Sequence, residues 1–259
     1  AIEAINSIYN AVKTGRISED RINESYRRII DSKINLNLFE NSFKTTWSVA
    51  KHNIGASKHV NTASQIAQKS ITLVKNEADI IPFVPKKYNN VTHIMLSTDD
   101  DLRTRLKSIA YDIRYTHGNV NEIYINDPLT DLMQEDIINK VKSSDIIVVS
   151  MLIRISMNKG ISTIHKTHSK LLKEIKKLNI PIIGMSFGSP YLPNYEVFNS
   201  YICAYGYGKV SLDAAINSFL GRNDIVGKLP VSLNKSYPSG YGIKVKKKNN
   251  FFSKLNNSI

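Results

Sequence analysis

Asp145-Ile-Ile-Val-Val-Ser-Met-Leu-Ile153 and Pro181-Ile-Ile-Gly-Met-Ser186 are apolar on nearly every consecutive residue rather than on every second one. A strand with one wet face alternates; a strand apolar throughout is covered on both faces, as in a mainly parallel sheet. Outward from these two, Asp145–Met151 and Pro181–Ser186 are joined as candidate strands by Ile71–Val74, Val91–Leu96, Asn121–Tyr124 and Tyr201–Tyr205. Between them, Val60–Lys69, Asp100–Tyr111, Leu129–Val141, His165–Leu178 and Ser211–Leu220 carry helical spacing. Strand and helix in alternation predict an α/β fold: an open, mainly parallel sheet with helices on both faces (an α/β sandwich), preceded by a helical linker segment.

That linker opens with Ala1–Lys13, an amphipathic run stopped at Gly15. Ser18 then caps a second helix, with Arg21 where a capping box would place Glu. The apolar stripe of the second helix is Ile22, Tyr26, Ile29, Ile30 and Ile34, ending in Leu36-Asn-Leu-Phe39, so an apolar partner is expected against it. Asn41 to Ser57 is polar and without clear period, which suits a surface crossing. The expected organisation is a helical segment over 1–57, the α/β domain over 58–235, and a basic, flexible tail over 236–259. Gly227-Lys-Leu-Pro230 is expected to return the chain as an edge strand, where a proline lacking its N–H is tolerated.

With 259 residues, 42% of them hydrophobic, the chain can bury one substantial core. Its apolar runs are far shorter than the roughly 20 residues of a membrane-spanning helix, so no membrane span is expected. The first residues, Ala1-Ile-Glu-Ala-Ile-Asn6, lack both a starting Met and the order of a secretory signal, and the native N-terminus is expected elsewhere. Cys203, the single cysteine, lies in an apolar stretch and reads as a small core residue. A net charge of +13 raises polyanions as partners. Lys244, Lys246, Lys247, Lys248 and Lys254, however, sit in a C-terminal stretch without an acid, which reads as solvated. Only Phe251-Phe252 pairs aromatics with that charge, so nucleic acid is not expected as a partner.

Catalytic patterns are sparse. Neither the dinucleotide-binding nor the P-loop glycine spacing occurs, and no cofactor is expected. His165 and His168 stand three apart without a Cys, Asp or Glu to complete a metal shell; both are expected to be solvated, with no metal. Ser189 lacks the glycine pattern of a nucleophile elbow and reads as a turn residue. Asp99-Asp100-Asp101 reads as a helix cap, since negative charge suits the positive end of the helix dipole. In open α/β sheets ligands meet the carboxyl ends of the strands. The loops to weigh there are Ser97-Thr-Asp-Asp-Asp101, Arg154-Ile-Ser-Met-Asn158 and Phe187-Gly-Ser-Pro-Tyr191.

Ordered signatures along the chain resemble family 3 glycoside hydrolases, and with the segments joining them they reach to about Leu233. Gly15-Arg-Ile-Ser-Glu-Asp-Arg-Ile-Asn-Glu-Ser-Tyr-Arg-Arg-Ile-Ile30 is similar to the helical stretch that ends the family's barrel domain. Ala67-Gln-Lys-Ser-Ile-Thr-Leu-Val-Lys-Asn-Glu77 with Ile81-Pro82 resembles the opening of its second domain. Phe187-Gly-Ser-Pro-Tyr-Leu192, Ala204-Tyr-Gly206, and Gly227-Lys-Leu-Pro-Val-Ser-Leu233 resemble the later signatures of that domain.

The resemblance implies an N-terminal (β/α)8 barrel of the same parent protein as partner, carrying the nucleophilic aspartate, and a glycan as substrate. No catalytic residue is then expected in this chain. The β-glucosidase branch takes its acid/base glutamate from the second domain, whereas here no acid lies between Asp145 and Glu174. That resembles the β-N-acetylhexosaminidase branch, which carries a histidine-based acid/base on a barrel loop and acts in some members on peptidoglycan fragments. Arg154, Ser156, Ser189 and Tyr191 are the residues expected to face a barrel or glycan. Export to a periplasmic or secreted location is the compartment this implies. The alternative is a stand-alone α/β module that binds a glycan or protein without hydrolase activity.

Overall fold

A computed structural model describes residues 1–40, 45–97, 103–154 and 163–248; Asp99-Asp100-Asp101, Ser156 and Lys254 lie outside these residues. The chain divides into two compact units, Ala1–Ala56 and Ser57 onward. In the first, α1 (Ile2–Lys13) ends at Gly15, whose positive φ of 71° reverses the chain. Ser18 Oγ then accepts the Arg21 N–H at 3.2 Å and starts α2 (Glu19–Asn35). The capping reading of the sequence holds, but α2 buries none of its residues: Tyr26, Ile29 and Ile34 are all more than half exposed. The crossing expected over Asn41 to Ser57 contains a short helix, α3 (Trp47–Asn53).

In the second unit, α4 (Ser57–Ser70), β1 (Thr72–Asn76), β2 (Val91–Ser97), α5 (Arg103–His117), β3 (Val120–Ile125) and α6 (Asp131–Val141) come first. They are followed by β4 (Ile146–Ile153), α7 (Lys166–Lys176), β5 (Ile182–Gly188), β6 (Ser200–Cys203) and α8 (Lys209–Phe219). The strands form one sheet in the order β1-β6-β5-β4-β2-β3. Only β1 is antiparallel to its neighbour. The α/β fold, mainly parallel with both faces covered, is the one the consecutive apolar runs predict.

Side-chain alternation along β4 and β5 builds two cores. Val148, Leu152, Met185 and Phe187 pack with Leu106 and Ile113 of α5 and with Ile216 and Phe219 of α8. Ile147, Val149, Met151 and Ile182 pack on the opposite face with Ile137 of α6 and with Leu171 and Ile175 of α7. Burying each of these apolar side chains contributes about 1.5–3 kcal/mol. The chain moves from β2 to one edge at β3, then from β4 toward the other edge. Loops at the carboxyl ends of β2 and β4 therefore diverge, and this is where such folds hold ligands.

Two expectations are corrected. Gly227-Lys-Leu-Pro230 is not an edge strand. Gly227 lies so close to the sheet that a Cβ there would meet Ile71 O at 2.4 Å, and only isolated bridges form, Leu73 with Ile243 and Ile225 with Val245. The antiparallel edge is β1 instead. Residues 236–248 are not a loose tail. Leu233 N bonds Tyr237 O, Leu229 N bonds Tyr241 O, and Lys248 N bonds Gly221 O, each at 2.8–2.9 Å.

His93 on β2 is completely buried, its Nε2 2.8 Å from Ser150 Oγ and its Nδ1 without a hydrogen-bond partner among the described residues. Burial pushes its pKa down to about 3. The unfolded chain therefore takes up this proton first, near pH 6.5, so stability is fully present above that pH and is lost as pH falls toward about 3. Between pH 7 and pH 5 the loss is expected to be about 2 kcal/mol. Denaturant melts at the two pH values should show it, and His93→Gln should remove most of the difference; an unchanged pH dependence in that variant would contradict the assignment.

Candidate functional site at the carboxyl edge

The β4–β5 register places Ile153 opposite Gly188, so Arg154 and Ser189 leave the sheet side by side. Ser189 N donates to Ile153 O at 3.0 Å. Gly188 makes that approach possible: its φ is +95°, and a Cβ there would sit 2.3 Å from Ile153 O. No L side chain tolerates that combination. The following turn is fixed from below. Pro190 O accepts the hydroxyls of Tyr201 at 2.9 Å and Tyr195 at 3.1 Å, and Leu192 N donates to Tyr195 Oη at 2.9 Å. Burial raises both phenols, Tyr195 to about 12 and Tyr201 well above its ordinary value, so both remain protonated donors.

The four expected site residues separate. Ser189 is 1% exposed and its Oγ accepts Tyr191 N at 3.3 Å, which makes it a shaper of the turn. Arg154 and Tyr191 are exposed on the same edge, and Tyr191 O accepts the Thr163 hydroxyl at 3.0 Å. Ser156 lies outside the described residues.

Tyr207 and Arg105, not singled out in the sequence, and Tyr205 of the Ala204-Tyr-Gly206 signature join them. Tyr207 stands beside Gly188, with ring carbon Cδ1 3.7 Å from the position of a Cβ there, and its carbonyl accepts Arg105 Nη1 at 2.9 Å. The Arg105 guanidinium also lies 5.8 Å from the Tyr207 ring centre, within cation–π range. Tyr205, at φ +59°, donates its hydroxyl to Thr72 Oγ1 at 2.9 Å. The signal for these was Tyr201-Ile-Cys-Ala-Tyr-Gly-Tyr207, whose spaced tyrosines serve different layers. Around the turn the described side chains are thus hydroxyls, guanidinium groups and phenol rings, which bind and orient but do not form a carboxylate pair.

His165 and His168 also depart from expectation. His168 is 1% exposed, donating from Nε2 to Asp127 O at 2.9 Å. Burial lowers its pKa, opposed by the Asp127 carbonyl. Helical spacing hid this, because His168 is followed by Leu171, Leu172 and Ile175 on the buried face of α7. His165 caps α7, its Nδ1 accepting Thr167 N at 3.2 Å. Cys203 is buried, as its apolar surroundings indicated. Among the described residues no group of three His, Cys, Asp or Glu is placed to hold a metal ion, and no helix is long and apolar enough to cross a membrane.

No protein-family model matches the chain. Over 75 residues, 29% of this chain and 12% of the relative, it is 37% identical to β-glucosidase C of Emericella nidulans. The β-glucoside phosphorylase BglX bound to 2FGlc superposes with a TM-score of 0.62 at 21% identity, over 88% of this chain and 41% of that one. A glycoside hydrolase family 3 β-N-acetylglucosaminidase from Paenibacillus sp. superposes with a TM-score of 0.55 at 22% identity, over 89% of this chain and 43% of that one. The fold is therefore that of an α/β domain found in larger carbohydrate-active enzymes. Family 3 glycosidases, β-glucosidases and β-N-acetylglucosaminidases among them, are the proteins this chain is similar to, and it spans only part of their length.

Gly188→Ala should lower stability by at least about 2 kcal/mol, since strain at positive φ adds to the clash with Ile153 O. Tyr201→Phe should cost about 1–3 kcal/mol by removing one buried donor from Pro190 O. Thermal melts check both; a neutral Gly188→Ala would mean the turn is not built as described.

Proposed function

We propose that this chain is the C-terminal α/β domain of a family 3 glycoside hydrolase of the β-N-acetylhexosaminidase type, acting on glycans such as peptidoglycan fragments. The observation that carries this reading is the Gly188–Tyr191 turn, set at the carboxyl edge of a sheet whose fold is shared with such enzymes. The barrel with the nucleophile belongs elsewhere in the parent protein, and the domain's part is to hold Arg154 and Tyr191 toward the barrel or the sugar.

Two features support this. Ile5, Ile8, Tyr9, Val12 and Ile22 line an apolar groove of about 330 Å³ in the helical unit. Helices that leave such a face open in isolation suit the end of a larger domain. No acid lies between Asp145 and Glu174, the stretch from which a β-glucosidase-type acid/base would come. That favours a histidine-based acid/base on the barrel, and with it the hexosaminidase branch and an exported enzyme.

The 259-residue chain alone should release no p-nitrophenol from p-nitrophenyl N-acetyl-β-glucosaminide, and the full parent protein should. In that parent, Tyr191→Ala should raise KM about five-fold with kcat nearly unchanged, as expected for loss of roughly 1 kcal/mol of stacking. Turnover by the isolated chain, abolished by a mutation within it, would overturn the division of labour. A parent preferring the plain β-glucoside would overturn the branch, and a parent inactive on both would favour a binding module.

A further inference from the structure

Ile243-Lys-Val-Lys-Lys-Lys248 is anchored rather than trailing. Ile243 N donates to Leu73 O at 2.8 Å, Val245 and Ile225 exchange backbone hydrogen bonds at 2.8 and 3.0 Å, and Lys248 N donates to Gly221 O at 2.9 Å. Ile243 and Val245 pack on the core. Lys244, Lys246 and Lys248, which follow Ile243, Val245 and Lys247 in turn, are exposed, and Lys247 is exposed as well. Together with Asn76, Asp79, Ile81 and Pro82 they line a groove of about 390 Å³. Lys246 lies 3.3 Å from Asp224 Oδ2. Lys244 and Lys248 have no ion-pair partner among the described residues. Asp79 is held at φ +47° behind Ala78 at φ +56°, and it adds a carboxylate to the same groove. The amide of Asn76 is already committed to Ile81 and Ser200.

We propose that this groove binds an acidic polysaccharide, with sugar carboxylates on the lysine ammonium groups and sugar hydroxyls on Asp79. Residues two apart on an extended chain are about 6.6 Å apart, so the three cations form a row suited to a chain of repeated charges rather than to one ion. Among the described residues no aromatic side chain lines the groove to offer the stacking platform that single-stranded nucleic acid uses. Ile243 and Val245 are partly buried against the core while lining the groove, and no fully exposed apolar side chain of the segment stands ready to enter a lipid surface. Asp79 repels a polymer that offers phosphates alone but accepts from hydroxyls, which a uronic acid chain supplies beside its carboxylates. The proposal stands apart from the hydrolase reading, since the binding needs no catalytic step.

The test is binding of the full 259-residue chain to immobilised polygalacturonate, with dextran, a thymidine oligonucleotide and phosphatidylglycerol vesicles as comparators. Affinity for polygalacturonate should exceed that for all three and fall as salt rises from 50 to 300 mM. Lys244→Gln with Lys248→Gln should weaken it about ten-fold without changing the melting temperature, from two exposed charge contacts of modest worth each. Lys107→Gln with Lys173→Gln removes the same charge from exposed positions on α5 and α7 and should change affinity less than two-fold. An equal loss in both pairs would overturn the site in favour of net charge alone. Tighter binding to the oligonucleotide or the vesicles would overturn the ligand class, and no binding to polygalacturonate would overturn the proposal altogether.

Discussion

Two buried phenolic hydroxyls, from Tyr195 and Tyr201, converge on a single carbonyl, Pro190 O, and the carboxyl edge of the sheet depends on that convergence. A proline has no N–H to pin the turn, so its carbonyl is the available handle. Gly188 lets the chain leave β5 in a conformation closed to other residues, and the tyrosines hold it there. The result is an exposed Tyr191 on a base that is rigid because its polar groups are satisfied.

The layered sheet was legible because β4 and β5 are apolar on successive residues, a pattern that physical burial on both faces explains without further information. The loop ends were legible from Gly188 and Pro190. Ser189 was less so: a hydroxyl beside an exposed aromatic reads as ligand-facing, but the backbone turns it inward to Tyr191 N. His168 was hidden by the same ambiguity, since periodicity does not say how deeply a helix face is buried. Arg105 and Tyr207 meet across about a hundred residues of chain, and nothing local announces such a pair.

Charge was the other place where sequence pattern and physics diverged. A run of lysines ending a chain reads as solvated and flexible; the described lysines are exposed, but their backbone is anchored because Ile243 and Val245 interrupt the run at the period of an extended strand. Those two residues and their backbone bonds seat the segment against β1 and the Gly221–Ile225 stretch, after which the lysines become a surface feature of the domain. In the helical unit the stripe of α2 is well formed, yet within the described residues none of it is buried.

The most direct measurement is the intact mass of the native protein that carries this sequence, read together with the residues that precede Ala1. A supporting domain of a hydrolase requires roughly 250 to 300 further residues with the strand and helix repeats of a barrel. A native chain near 29.2 kDa would contradict that account and leave a binding module.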